Sequence, residues 1–261
     1  MATQAQTYIE VSPIKTRTVE VAIIGTRPFI MNRQSEKVKR ELLLPSGRKT
    51  NADRASSLKH DPLAEYRAAP YRLPDDAPVL LGTPASAFKK GMMTAALRLP
   101  GVRKTEIAQL LWVEGDLIPI YGVPELFMSV TRSADINRTP DIRTRCIVPE
   151  WATAIRVTYA TPILNESSVI NLLVAAGQFS GIGDWRPEKG AGTYGQYSVT
   201  NGEKDEDFQR IIETGARAIQ EENMLHPNMY DIDTAEMFDW YMTEVHARGR
   251  SGEATLSDIA A

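Results

Sequence analysis

Ala154-Ile-Arg-Val-Thr-Tyr-Ala-Thr-Pro-Ile-Leu-Asn-Glu-Ser-Ser-Val-Ile-Asn-Leu-Leu-Val-Ala-Ala-Gly177 is the stretch whose reading decides the fold. Ile155, Val157 and Tyr159 alternate with Arg156 and Thr158, the period of a strand with one buried face. From Asn165 the pattern changes. Val169, Leu172, Leu173 and Ala176 fall at helical spacing, and Gly177 suits the position just past a helix end. Upstream, Arg17-Thr-Val-Glu-Val-Ala-Ile-Ile-Gly25 alternates in the same way and predicts the first strand. Thr83-Pro-Ala-Ser-Ala-Phe-Lys-Lys-Gly-Met-Met-Thr-Ala-Ala-Leu97 predicts the first core helix, with Thr83 as N-cap and Pro84 in the first helical position. Leu117-Ile-Pro-Ile-Tyr121 reads as the second strand, near an edge because of Pro119. Tyr197-Ser-Val-Thr200 is the last. The order strand, helix, strand, strand, helix, strand is that of an α+β fold with a ferredoxin-like (RRM-like) βαββαβ core.

The rest of the chain reads as additions to that core. Residues 28–80 are basic and proline-punctuated, with Arg33, Lys37, Lys39 and Arg40 close together. Residues 123–148 carry Arg132, Arg138, Arg143 and Arg145 and read as a protruding hairpin. Beyond residue 200, an acidic helix opens at Asp205 with Phe208, Ile211, Ile212, Gly215 and Ile219 on one face. Another opens at Asp233-Thr-Ala-Glu236 in capping-box style. Residues 1–200 hold 25 Lys and Arg against 19 Asp and Glu, whereas residues 201–261 hold 5 against 14. That split suits a nucleic-acid-binding body with an acidic extension, or simply two differently solvated surfaces. No apolar run approaches the roughly 20 residues of a membrane span. The start of the chain lacks a signal-peptide pattern, so a soluble, cytoplasmic protein without membrane partners is expected. The single cysteine, Cys146, excludes an internal disulfide and a multi-cysteine zinc site.

Gly181-Ile-Gly-Asp-Trp-Arg-Pro-Glu-Lys-Gly-Ala-Gly-Thr-Tyr-Gly-Gln-Tyr197 lies between the second helix and the last strand. Its glycines permit close approach of backbone to a ligand. Arg186 and Lys189 supply charge for phosphate. Trp185, Tyr194 and Tyr197 stack on bases or pack. Gly190-Ala-Gly-Thr-Tyr-Gly195 matches the dinucleotide fingerprint in letters only, because that motif follows a strand and opens a helix. His60, His226 and His246 stand at unrelated spacings, so no metal or other cofactor is expected. Asp135, Asp141 and Asp184 are carboxylates able to hold Mg²⁺ or position a water beside a nucleic acid, but the pattern points to binding rather than catalysis, with a metal-dependent nuclease using Asp135 or Asp184 as a further alternative.

Two motifs and the layout resemble the Cas7-like branch of the RAMP superfamily, the backbone subunits of CRISPR effector complexes and their solitary phage and plasmid relatives. The run Pro84-Ala-Ser-Ala-Phe-Lys-Lys-Gly-Met92 is similar to the Pro-Gly-Ser-Ser-Leu-Arg-Gly type start of the family's first helix, with Ala85 in place of the glycine. Gly181 to Gly195 corresponds to the family's glycine-rich loop. The resemblance implies a palm core over 1–200, a finger-like insertion at about 28–80, a thumb-like hairpin at about 123–148, and an acidic extension, 201–261, that the family does not share. It implies single-stranded nucleic acid as ligand, RNA favoured over DNA, bound along head-to-tail copies with other effector subunits as further partners. Carried over by position, Ser86, Lys89 and Lys90 face the sugar-phosphate backbone from one side and Arg186, Lys189, Gly190 and Gly192 contact the strand from the other, with Tyr194 as a further nucleic-acid-binding candidate. Arg33, Lys37, Lys39, Arg40, Arg132, Arg138 and Arg143 complete the basic set. The stretch Gly25-Thr-Arg-Pro-Phe-Ile-Met-Asn-Arg33 also resembles the start of a set of phage-encoded proteins, and the alternative is a phage structural or assembly protein, or a single-stranded-DNA recombination protein.

Overall fold

The structure, a computed structural model, describes residues 13–34, 39, 43–44, 60–132, 140–189 and 192–247. The fold is mixed α and β, with antiparallel sheets. The central sheet has the order β10 (Tyr197–Thr200), β1 (Lys15–Gly25), β9 (Ala152–Thr161), β5 (Leu111–Val113). Every neighbouring pair is antiparallel, with Val21 opposite Ile155, Val19 opposite Val157 and Leu111 opposite Tyr159. Two helices join these strands: α2 (Ala85–Ala95) precedes β5, and α4 (Glu166–Phe179) links β9 to β10.

Period-two alternation sorts the β1 side chains between two faces. Val21 and Ile23 join Ile155 and Val157 in the main core with Phe88 and Met92 of α2 and Val169, Leu172 and Leu173 of α4. Ala22 and Ile24 turn to the other face, where Ala152, Phe208 and Ile211 cluster. The helices α2 and α4 meet at Gly91, over which Ala176 and Ser180 sit, and the Ser180 hydroxyl donates to the Gly91 carbonyl at 3.2 Å. Phe88 packs edge-on to Tyr197 at 5.7 Å.

A second sheet, β2 (Phe29–Met31), β8 (Pro140–Val148) and β7 (Glu125–Arg132), contains the hairpin. A third joins β3 (Tyr71–Arg72), β4 (Leu81–Pro84) and β6 (Leu117–Pro119). Of two short helices, α1 (Pro62–Ala68) packs on β7 and β8, and α3 (Lys104–Leu110) packs on α2 and β5 of the central sheet. The second strand of the central sheet is therefore Leu111–Val113, and 117–119 pairs with β4 instead. The cleaner apolar run at 117–121 is drawn toward β4 through the Thr83–Ile118 register. Thr83 is buried in that strand, so Pro84 rather than Thr83 caps α2, without a side-chain bond.

Gly177 lies inside α4, where a methyl group would collide with the Tyr197 carbonyl. The helix ends at Ser180, and Gly181, at φ 64°, takes the left-handed turn expected just past a helix end. After residue 200 the chain forms α5 (Glu206–Thr214), α6 (Arg217–Leu225) and α7 (Ile232–Ala247). Gly215 divides the single helix expected from Asp205, because it packs against the Gly122 backbone. Asp231, not Asp233, caps α7, accepting from Thr234 N–H at 2.8 Å. These helices are built into the body: Met224, Phe238 and Met242 belong to the main core. Gln220 is fully buried and bonds to four backbone groups of the β4 and β6 region.

Candidate nucleic-acid interface

The N-terminal half of α2 and the glycine-rich ribbon face each other across one cleft of about 380 Å³. Its α2 wall carries Ser86, Ala87 and Lys90, and its ribbon wall carries Gly181 to Asp184, Arg186 and Glu188. Phe29, Met31 and Asn32 of the β2 segment, Tyr71 of β3 and Gly82 to Pro84 of β4 complete the lining. The juxtaposition follows from the fold. Both segments adjoin the central sheet, α2 running on from β4 and the ribbon leading into β10, and α2 is packed on α4.

The ribbon is held by backbone contacts that only glycine permits. Gly183 has φ 82°, and a side chain there would strike the Ile30 carbonyl and the Phe29 ring. Gly195 donates to the Pro28 carbonyl at 2.8 Å, and Ile182 donates to the Gly195 carbonyl at 2.9 Å. Asp184 N–H donates to the Ile30 carbonyl at 3.0 Å, so β2 and the ribbon form one surface. Trp185 takes φ 50°, a left-handed geometry that costs a bulky residue energy and persists where its surroundings fix it. Its ring packs edge-on to Phe127 at 5.8 Å and lies 6.1 Å from Tyr194. Phe127, Ile30 and Ile147 bury this cluster, with Tyr230 against Phe127 at 5.3 Å.

Lys90 and Ser86 are exposed on the α2 wall, and Lys89 is half-buried beside them without lining the cleft. Ala85 N–H is taken by the Asp116 carbonyl at 2.9 Å, which removes one donor of the first helical turn. Three of the charges on the ribbon, Asp184, Arg186 and Glu188, are engaged within the protein. Arg145 Nε donates to Asp184 Oδ2 at 3.1 Å, and Asn32 Nδ2 donates to the same oxygen at 2.8 Å. Asp184 Oδ1 accepts from Trp185 N–H at 3.1 Å. Arg186 donates through Nε to Glu188 and through Nη1 to the Gly183 carbonyl, at 2.9 and 2.8 Å. Desolvation pulls the Glu188 carboxyl upward, but hydrogen bonds from Arg186 and Thr94, with the charges of Arg186 and Lys189, outweigh it and hold it below the ordinary carboxylate range.

The remaining expected residues are distributed around this cleft and away from it. The Arg33 guanidinium lies over the Tyr71 ring at 5.7 Å, bringing it to the cleft through Tyr71. Lys189 is exposed at the end of the ribbon's short helical turn. Gly192 is the close-approach point beneath the Trp185 carbonyl, and Tyr194 belongs to the aromatic cluster. Arg132 and Arg143 sit on the distal part of the hairpin, and Arg143 pairs with Asp141 at 3.3 Å. Asp141 also meets His60, whose other ring nitrogen faces Glu65 at 3.0 Å. Lys39 is half-exposed. Lys37, Arg40, Arg138, Gly190 and Asp135 lie outside the described residues.

Asn32, Tyr71, Thr94 and Glu188 are site residues that the sequence reading passed over, and Asp184 and Arg145 act in a way it did not foresee. Asp184 is committed to Arg145, Asn32 and Trp185. Among the described residues, no group of three His, Cys, Asp or Glu side chains converges as a metal site would require. Burial pushes the Cys146 thiol up, and it lies wholly within the core. Among the described residues, no helix is long and apolar enough to cross a membrane.

No family model matches this chain. No curated protein matches it either. Among solved structures, it is similar to a chain in the cryo-EM structure of the Type III-B Cmr-beta bound to cognate target RNA, at 13% identity and a TM-score of 0.36, over 71% of this chain and 59% of that one.

Proposed function

We propose that the protein binds single-stranded nucleic acid, RNA in preference to DNA and without sequence preference, as a Cas7-like subunit with a ferredoxin-like core. The observation that carries this reading is the cleft shared by the N-terminal half of α2 and the glycine-rich ribbon. The core reading draws on the strand order: β10 and β9 flank β1, and β5 lies outside β9, all antiparallel. With α2 and α4 as the two crossings, this is the arrangement that a βαββαβ unit produces.

The physics of the cleft favours a backbone ligand. An exposed hydroxyl at Ser86 and an ammonium at Lys90 line one wall, and closely approaching backbone lines the other. The charge of the lining is balanced, since Asp184 and Glu188 offset Lys90 and Arg186. Long-range attraction therefore comes from cations around the mouth as much as from those within it: Lys89, Lys189 and Arg33. The aromatic cluster of Trp185, Tyr194 and Phe127 is a packed support for the ribbon. Stacking on bases falls instead to Tyr71, half-exposed in the lining. Head-to-tail association of copies along the strand, and docking of other effector subunits, belong to the same proposal. The protein acts on this reading as a binder and not as a nuclease.

The test is purification without nuclease, followed by binding to single-stranded RNA, single-stranded DNA and duplex of equal length. The reading predicts co-purifying, nuclease-sensitive material with a raised ratio of absorbance at 260 to 280 nm. It also predicts single strands preferred over duplex, with a log–log salt slope of about −0.7 per phosphate neutralised. A preference for DNA turns the reading toward single-strand recombination. Absence of any nucleic-acid binding at low salt refutes it in favour of an assembly role.

A further inference from the structure

Glu188 occupies a position built for an anion. Its Oε2 accepts from Arg186 Nε at 2.9 Å and lies 2.8 Å from Arg186 Nη2, and its Oε1 accepts from the Thr94 hydroxyl at 3.0 Å. Arg186 is itself aimed by the Gly183 carbonyl, which takes Nη1 at 2.8 Å. Thr94 stands one helical turn beyond Lys90 and two beyond Ser86, so the three share a face of α2. The Glu188 carboxylate thus bridges the two walls of the cleft. Two guanidinium N–H groups and a hydroxyl converging on one anionic group form the donor set that recognises a phosphodiester.

We propose that this point is a phosphate subsite, formed by Arg186, Thr94 and the neighbouring Lys90, which Glu188 fills until a strand displaces it. The inference rests on the nucleic-acid reading above and adds a competitor to it. A phosphodiester oxygen would take over the bonds from Arg186 and Thr94, and the Glu188 side chain would turn into solvent, from which it is only partly shielded. The second ion pair of the ribbon is different in kind. Asp184 is held at once by Arg145, Asn32 and its neighbour's N–H, and Arg145 is largely buried at 15% exposure, so that pair is a buttress. Exchange of Glu188 for phosphate breaks one salt bridge and makes another. It leaves the ribbon backbone bonds to Pro28 and Ile30 untouched.

The experiment measures binding of the full chain to a mixed-sequence single-stranded RNA by fluorescence anisotropy, from about 0.05 to 0.3 M salt. Glu188→Gln is expected to bind about five- to tenfold more tightly, the worth of one charge-assisted contact no longer contested. Its salt slope should steepen by up to about 0.7, because the wild-type complex keeps the displaced Glu188 carboxylate beside the strand, where it offsets the charge that Arg186 brings to phosphate. Glu188→Ala should act in the same direction. In an Arg186→Gln background the gain from Glu188→Gln should shrink to below about twofold. Thermal melting of each variant identifies any loss of folded protein. Weaker or unchanged binding with an unchanged slope overturns the proposal and leaves Glu188 as a structural fastener. A gain that persists undiminished without Arg186 overturns it as well, since that reports only removal of negative charge. If the wild-type chain binds no single strand, the nucleic-acid reading itself falls.

Discussion

Replacing Gln220 by Leu tests whether the acidic C-terminal helices and the cleft-bearing body are one folding unit. The Gln220 side chain is fully buried. Its Oε1 accepts from Leu80 N–H and Leu81 N–H at 2.8 and 3.0 Å, and its Nε2 donates to the carbonyls of Ile120 and Gly122 at 2.8 and 3.0 Å. Leucine fills a similar volume but leaves all four backbone groups without this partner. At about 1 kcal/mol per lost bond the loss is about 4 kcal/mol. The added apolar burial returns about 1 kcal/mol. A net destabilisation of about 3 kcal/mol is then a large share of the roughly 5–15 kcal/mol available to a domain. Urea denaturation followed by fluorescence and by far-UV circular dichroism is the assay. Both probes should shift together to a lower midpoint. Gln220→Glu should be at least as damaging near neutral pH, because its carboxylate faces two carbonyls, and should recover in part once acid restores a donor. A Gln220→Leu midpoint within about 0.5 kcal/mol of wild type would refute this account. So would separate early melting of α5–α7.

Three further expectations follow from the same geometry. Gly183→Ala places a methyl against the Ile30 carbonyl at a left-handed position, and the combined conformational and overpacking cost should be about 2–4 kcal/mol, read as a lowered urea midpoint together with weaker strand binding. Lys90→Glu should weaken binding to all single-stranded sequences alike and flatten the salt slope by about 0.7, whereas a changed base preference at constant affinity would show that Lys90 does not touch the backbone. Stability should fall on the acid side. Hydrogen bonds from the Thr200 hydroxyl and Phe208 N–H hold the Asp205 carboxyl below its ordinary value, and the Arg210 guanidinium does the same for Glu150. Each folded value lies below the unfolded one, so the stabilisation is fully present above the unfolded value of about 4 and is lost as pH falls through the folded value. Asp205→Asn should lose part of that acid sensitivity in denaturation midpoints compared between neutral pH and about pH 3, and an unchanged pH dependence would contradict the assignment.

Much of the fold was legible where a single period dominates. The strand at β9 and the helix after it announced themselves because Ile155, Val157 and Tyr159 face one core and Val169, Leu172 and Leu173 face the same core from above. The cleft was legible for a related reason. Once α2 and α4 are assigned as the two crossing helices, the ribbon that follows α4 is brought back beside α2. Legibility failed where a choice of partner decides the outcome. Leu111-Trp-Val113 is shorter and less regular than 117–121, yet it takes the edge beside β9 because 117–119 is claimed by β4. Gly177 and Gly181 look alike in sequence, and only the close approach of Tyr197 to the first separates packing from chain reversal.

The site shows the same division. Arg186 and Lys90 could be picked out by type and position, but not that Arg186 is already engaged by Glu188 or that Asp184 is answered by Arg145, thirty-nine residues away. Ion pairs of that separation leave no local pattern. The acidity of residues 201–261 suggested a surface extension. Phe208, Met224, Phe238 and Met242 bury their faces in the body while the acids stay outside, so net charge described the solvent side of these helices and not their place in the core.

Photocrosslinking of a single-stranded RNA to the purified chain, with the attached peptides read by mass spectrometry, tests the central claim most directly. Crosslinks concentrated in 84–97 and 180–195, reduced by Lys90→Glu, are the predicted result. Crosslinks confined to α5–α7 or to the distal hairpin, with those two segments unmarked, would contradict it.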